Sequence, residues 1–167
     1  MFKDKRETIA LFGGSFDPPH FGHYGVVKEA LKTLNIDKLV VVPTFLNPFK
    51  TSSSATPHQR FQWTKEMFEK FPKVLVDAYE IEQGKSTTTA TTLSHFQQKY
   101  CVKYLIIGAD NLASIEKWYN FNHLNRQIIW LIATRIGHEV DTTPLREFKL
   151  LEVNIAISST EIRNKQS

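Results

Sequence analysis

Residues 8–23 of this 167-residue chain have the sequence TIALFGGSFDPPHFGH, and this stretch carries most of the signal in the sequence. Its first five residues, 8–12, form a short apolar run that predicts a buried strand, and Gly13-Gly14 predicts where that strand ends. Two glycines directly after a strand allow the backbone to approach a ligand closely. The two prolines that follow stiffen the turn, so we expect a helix to start near His20.

Strand and helix patterns alternate along the remainder of the chain. Apolar runs predict further strands at residues 38–42, 74–76, 104–107 and 128–133, with a short sixth at 148–151. Helical patterns cover residues 26–34, 56–68, 93–96 extending toward Tyr100, 112–119 and 158–164. This alternation predicts an α/β fold: a doubly wound parallel sheet with helices on both faces, in one domain spanning residues 1–167. Ligands of such sheets bind beyond the carboxyl ends of the strands.

Composition and charge narrow the function classes. The chain is 41% apolar and 23% charged, with a net charge of +4, and it has no Lys/Arg block, so we expect no nucleic-acid partner. The single cysteine favours a reducing compartment. Residues 1–7 lack the apolar core of a secretory signal, and no apolar run approaches the roughly 20 residues that span a bilayer. We therefore expect a cytoplasmic protein with no membrane partner.

The first motif is the string from Gly13 to His23. His20 and His23 are three residues apart, which places them on one face at a helix start, where free N–H groups and the helix dipole attract anions. No third ligand lies at a zinc-like spacing, so no metal site is predicted. The string resembles the signature of the nucleotidyltransferase superfamily, in which a His-x-x-His pair faces the ATP phosphates. The resemblance implies a Rossmann-like fold and ATP-binding roles for Gly13, Gly14, Ser15, Phe16, His20 and His23.

The second motif lies near the other end, at residues 157–163, with the sequence ISSTEIR. Taken alone, it is also explained by simple capping of a helix by Ser158 and Glu161. Paired with the first motif, it is similar to the second half of the same signature. The resemblance implies that His20, His23 and Arg163 are catalytic. It adds further ATP-binding residues, namely Gly108, Asp110 (on a ribose hydroxyl), Ser158, Ser159, Thr160 and Arg163.

Several shorter motifs resemble the nicotinate mononucleotide adenylyltransferases. They are the FGGSFDPPH opening, Pro43 with Pro48 and Lys50, the threonine-rich stretch 87–93, Gly108-Ala109-Asp110 with Trp118-Tyr119, and Arg135 with Gly137. The implied acceptor-binding residues are Lys50, Thr88, Thr89, Trp118 and Arg135. The chemistry suits this acceptor, because an indole can stack on a pyridinium ring and a helix start offers donors to a carboxylate. Core packing of Trp118 is the alternative explanation.

The resemblance implies transfer of AMP from ATP to nicotinate mononucleotide, with Mg²⁺ arriving with ATP. Three alternatives stay open: a pantetheine-phosphate adenylyltransferase, a nicotinamide mononucleotide adenylyltransferase, and a non-catalytic nucleotide-binding module. The intact His20, His23 and Arg163 argue against the last of these. The expected partners are small molecules. The sequence leaves the oligomeric state open, a homodimer being one option.

Overall fold

A computed structural model describes residues 5–45, 55–135 and 137–153. Its centre is one six-stranded sheet with the order β3-β2-β1-β4-β5-β6, in which every neighbouring pair is parallel. The strands are β1 (Thr8–Gly14), β2 (Lys38–Pro43), β3 (Val74–Val76), β4 (Cys101–Gly108), β5 (Ile129–Arg135) and β6 (Phe148–Val153). This order is that of the Rossmann fold and confirms the predicted fold class.

The helices connect these strands and differ in part from the sequence expectation. They are α1 (Phe21–Thr33), α2 (Pro57–Phe68), α3 (Tyr79–Glu82), α4 (Thr89–Gln97), a 3₁₀ helix (Ala109–Lys117) and α5 (Phe121–Gln127). The pattern over 112–119 predicted a helix that starts later and ends later than the 3₁₀ helix does. No sequence pattern indicated α3 and α5, which are only four and seven residues long. The helix expected at 158–164 lies outside the described residues.

The sheet is covered by helices on both faces, as expected. One apolar cluster joins α4, the 3₁₀ helix and α5 to one face, through side chains such as Leu93, Ile115 and Leu124. The other joins α1 and α2 to the opposite face, through Val27 and Phe68 among others. Strands that are buried on both faces carry apolar side chains on both sides, which explains the uninterrupted apolar runs in the sequence.

The first strand extends further than its apolar run. Gly13 and Gly14 pair with Val42 and Pro43 of β2, so β1 continues through the two glycines instead of ending before them. Since β1 lies between β2 and β4, the strand order reverses on either side of it. The carboxyl ends of β1 and β4 therefore form the crevice in which ligands of such sheets bind.

None of the helices in the described part of the chain has the length and apolar character that a bilayer crossing requires.

Candidate active site

A cavity of about 880 Å³ lies at the carboxyl ends of the strands. Its volume suits nucleotide-sized ligands. Ten residues that the sequence analysis singled out line this cavity together: Gly13, Gly14, Ser15, His20, His23, Thr89, Gly108, Asp110, Trp118 and Arg135. They come from four separate parts of the chain, which the parallel sheet brings to one edge.

The two histidines form the cap of α1. His20 is the N-cap residue and has extended backbone, so it precedes the first turn instead of lying within it. Its Nδ1 accepts a hydrogen bond from the backbone N–H of Gly22 at 2.9 Å, and Nδ1 of His23 accepts one from the N–H of His20 at 3.1 Å. The rings stack with centroids 3.9 Å apart. A histidine pair here takes the place of the usual Ser/Thr and Glu capping box.

These hydrogen bonds decide which nitrogen carries the proton. A neutral imidazole has one donor and one acceptor nitrogen, so acceptance at Nδ1 assigns the N–H to Nε2 in both rings. Burial, and then the charge of His20, lower the pKa of His23 to about 3. His23 is therefore a neutral Nε2–H donor at physiological pH, and bound phosphate would raise its pKa again.

Phe16 packs against the ring of His23 and does not line the cavity. Its side chain is 1% exposed, and its ring centroid lies 4.6 Å from that of His23. Its backbone has a φ of 49°, in the left-handed region that aromatic residues seldom adopt. The structure thus gives Phe16 a packing role, and its contact with ATP stays a prediction.

A second group of residues surrounds the start of α4. Thr88 is the N-cap, and its hydroxyl accepts the N–H of Thr91 at 3.2 Å, so this residue is used for capping and is absent from the cavity wall. Thr89, the first residue of the helix, does line the cavity. The free N–H groups of this first turn make the start of α4 a site that favours anions.

Trp118 ends the 3₁₀ helix in extended backbone and lies half-buried on the cavity wall. Its ring meets Trp130 edge to face, with centroids 6.2 Å apart. Trp130 is fully buried and accordingly forms a fixed backing for Trp118. The indole is therefore partly packed against the core and partly exposed to the cavity, and its contact with the acceptor stays a prediction.

Sequence reasoning missed several polar residues of the cavity wall, including Thr44, Glu80, Thr92, Asn111 and His138. Glu80 is the most unusual of these, because it is a carboxyl group with only 6% exposure. The Thr92 hydroxyl donates to it at 2.7 Å, and burial raises the pKa of Glu80 to about 7. Thr92 lies within the threonine-rich stretch 87–93 and Asn111 lies next to Asp110, so these two had a sequence signal that could have identified them.

Five predicted site residues lie outside the described residues: Lys50, Ser158, Ser159, Thr160 and Arg163. Their roles stay predictions. Within the described ranges, no group of three or more His, Cys, Asp or Glu side chains could hold a metal ion.

The chain is an α/β protein with a doubly wound sheet and a histidine-capped helix start at its switch point, which is where ligands of such sheets bind. The chain belongs to the cytidylyltransferase-like family, whose model matches residues 11–165. A relative from Sulfurovum sp. (strain NBC37-1), named probable nicotinate-nucleotide adenylyltransferase, is 49% identical over 99% of this chain and 88% of its own length. A relative of the same name from a Nitratiruptor species is 43% identical over 93% of this chain and 86% of its own length.

A solved structure supports the fold independently. The nicotinic acid mononucleotide adenylyltransferase of Plasmodium falciparum in complex with APC aligns with a TM-score of 0.74 at 22% identity, over 95% of this chain and 83% of that one. The same protein in complex with NaAD gives a TM-score of 0.73 at 22% identity and the same coverage. At this identity the likeness concerns the fold.

Proposed function

We propose that the protein transfers the adenylyl group of ATP to nicotinate mononucleotide, which yields nicotinate adenine dinucleotide and pyrophosphate in NAD biosynthesis. The observation that carries this proposal is that one cavity is lined by the histidine-capped start of α1, by the start of α4, which favours anions, and by the half-buried indole of Trp118. The names of relatives up to 49% identical over nearly the whole chain support the same reaction.

The ATP phosphates bind at the start of α1. His20 and His23 direct Nε2–H donors to them, and Gly13 and Gly14 allow close approach of the backbone. Asp110, at the first turn of the 3₁₀ helix, accepts a hydrogen bond from a ribose hydroxyl. We assign Ser158, Ser159, Thr160 and Arg163 to the leaving pyrophosphate on the basis of the sequence motif.

The acceptor binds on the other side of the cavity. Its pyridinium ring stacks on Trp118, and its carboxylate accepts hydrogen bonds from the first turn of α4, beginning at Thr89. Arg135 at the end of β5 supplies positive charge, and the sequence motif assigns Lys50 to the acceptor phosphate. An amide in place of the carboxylate would lose the charge that makes these contacts strong, so the site favours nicotinate over nicotinamide.

The chemistry needs positioning and charge stabilisation. An oxygen of the acceptor phosphate attacks the α-phosphorus of ATP in line, the bond from that phosphorus to the bridging oxygen breaks, and pyrophosphate leaves with the electron pair. A phosphate monoester is already ionised at neutral pH, so no protein base is required. Mg²⁺ enters as the MgATP substrate and stays bound mainly to phosphate oxygens and water.

We place the reaction in the cytoplasm, in keeping with the single cysteine and with substrates that are small metabolites.

The test offers the purified protein MgATP with each of three acceptors: nicotinate mononucleotide, nicotinamide mononucleotide and pantetheine phosphate. Pyrophosphate release is measured for each. We expect kcat/KM to be highest for nicotinate mononucleotide by at least about tenfold, which is the discrimination that one charged hydrogen bond supplies. A preference for either other acceptor would refute the assignment of the acceptor.

His123→Asn serves as the control for His20→Asn, the variant that tests the role of His20 in turnover. His123 is exposed on α5 and does not line the cavity, so this variant should keep the activity of the wild type.

A further inference from the structure

Two loops leave the sheet beside each other, and one buried arginine joins them. Arg60 of α2 is 2% exposed. Its Nη1 donates to the carbonyl oxygen of Ser15 and its Nη2 to that of Phe45, both at 2.7 Å. Ser15 follows β1 and Phe45 follows β2, so a single guanidinium spans the turns at two strand ends. Only arginine has a planar fork of donors that can make this bridge.

Asp17 makes the second connection. Its side chain is 1% exposed, and its Oδ1 accepts the backbone N–H of Ala55 at 3.2 Å. Phe45 and Ala55 flank residues 46–54 in the sequence, so both flanks of that stretch are held against the turn at residues 15–17. Burial lowers the pKa of the Arg60 guanidinium, while the negative charge of Asp17 raises it. The two opposite charges thus make each other's burial tolerable.

The turn that these residues hold is a strained one. Phe16, between Ser15 and Asp17, has a φ of 49°. Backbone of this kind persists only where surrounding contacts enforce it. The turn also lines the cavity at Ser15 and leads directly into the histidine cap of α1. On the other loop, Thr44 lines the cavity and its N–H donates to the carbonyl oxygen of Gly14 at 2.9 Å.

We propose that Arg60 and Asp17 are positioning residues. They fix the phosphate-binding turn at residues 15–17, after β1, relative to Phe45 and Ala55, which flank residues 46–54. Neither residue lines the cavity, so both act through the backbone that they hold. The catalytic consequence rests on the proposed function: the turn after β1 leads into the histidine cap that binds ATP, and Thr44 on the other loop lines the same cavity. A misplacement of about 1 Å between reacting groups lowers a rate by about 100-fold. Loss of the bridge should therefore lower kcat more than it weakens ATP binding.

The kinetic test compares Arg60→Met and Arg60→Lys with the wild type. Methionine fills the space without donors, and lysine keeps the charge but cannot bridge two carbonyl groups as a fork. We expect kcat per folded molecule to fall about 10- to 100-fold in both variants, with the KM for ATP changed less than about threefold. Arg126→Met is the control, because Arg126 is exposed at the end of α5 and away from the cavity. Wild-type kcat in Arg60→Met would overturn the proposal.

Amide hydrogen exchange gives a readout that does not depend on activity. In Arg60→Met we expect loss of protection at the N–H groups of Ala55 and Thr44, while Leu105 in the core of β4 stays protected as in the wild type. Unchanged protection at Ala55 and Thr44 would overturn the bridge itself. If Arg60→Met loses protection at Ala55 and Thr44 but keeps wild-type kinetics, the positioning role of Arg60 would be overturned. If Leu105 also loses protection, Arg60→Met does not fold, and Arg60→Lys then decides between the same outcomes.

Asp17→Asn separates the charge from the hydrogen bond, because asparagine keeps an acceptor oxygen for the Ala55 N–H. We expect its kcat to lie between those of the wild type and Arg60→Met, and a kcat below that of Arg60→Met would contradict the model. A wild-type protein that releases no pyrophosphate with any acceptor would refute the proposed function. The exchange experiment would still decide whether the bridge exists.

Discussion

Glu80 places an ionisable carboxyl group in the buried wall of the cavity, and its replacement by glutamine should change stability in a pH-dependent way. The residue lies on α3 and accepts a hydrogen bond from the Thr92 hydroxyl at 2.7 Å. Burial raises the pKa of Glu80 from 4.5 to about 7, against the smaller, opposite effect of that hydrogen bond. Glutamine has nearly the same shape and keeps an acceptor oxygen for Thr92, but it cannot ionise.

The direction of the stability change follows from the pKa of Glu80 in the unfolded chain and in the folded protein. The folded protein binds this proton more tightly than the unfolded chain does, so the contribution of Glu80 to stability is fully present below pH 4.5 and is lost as the pH rises through 7. The shift corresponds to about 3 kcal/mol. We expect Glu80→Gln to be about 3 kcal/mol more stable than the wild type at pH 8 and equally stable at pH 4. For a chain of this size, that gain at pH 8 raises Tm by about 6–12 °C.

His23 has the opposite pH dependence. Its pKa is lowered to about 3 by burial and by the charge of His20, so stability falls by about 1.4 kcal/mol per pH unit as the pH drops below 6.5. In the wild type, Glu80 offsets this loss between pH 4.5 and 6.5, and stability should be nearly flat there. In Glu80→Gln the loss from His23 is unopposed, so stability should rise steadily with pH over the same interval.

Urea unfolding followed by the fluorescence of the three tryptophans, at pH 4, 5.5 and 8, measures these differences. Glu82→Gln is the matched control, because Glu82 is exposed on the same short helix and its replacement should change stability little at any of these pH values. A gain for Glu80→Gln of the same size at pH 4 and pH 8 would refute the reasoning, as would a loss of stability at pH 8.

Three further predictions concern the substrates. In Gly108→Ala, the added Cβ would lie 2.6 Å from Oδ1 of Asp110, so the carboxylate must move, and we expect the KM for ATP to rise about tenfold with kcat little changed; an unchanged KM would contradict the ribose assignment. Trp118→Leu should raise the KM for nicotinate mononucleotide about tenfold through lost stacking and cation–π attraction, and an equal rise in the KM for ATP would argue against it. His20→Asn keeps a good cap for the Gly22 N–H but removes the imidazole, so the variant should fold normally. Steady-state assays should show kcat lowered about 100-fold, whereas wild-type turnover would exclude His20 from charge stabilisation.

Local pattern was enough to predict most of the fold. The four central strands, β1, β2, β4 and β5, contain apolar runs because both faces of the sheet are covered, and each run carries this signal within a few residues. The extension of β1 through Gly14 was missed, because it depends on pairing with Pro43 of β2. The short helices α3 and α5 were missed because segments of this length form only when packing stabilises them.

Residue type and spacing were enough to predict the kind of chemistry, because glycines, prolines and histidines at short fixed spacing after a strand are typical of a helix start that binds phosphate. Tertiary structure alone decided which residues share the cavity, that Glu80 is buried in its wall, and that Arg60 joins two strand ends. The physical reason is distance along the chain. Residue type and spacing set local geometry, whereas burial, pKa and hydrogen bonds across 12 or 45 residues depend on how the sheet brings remote segments together.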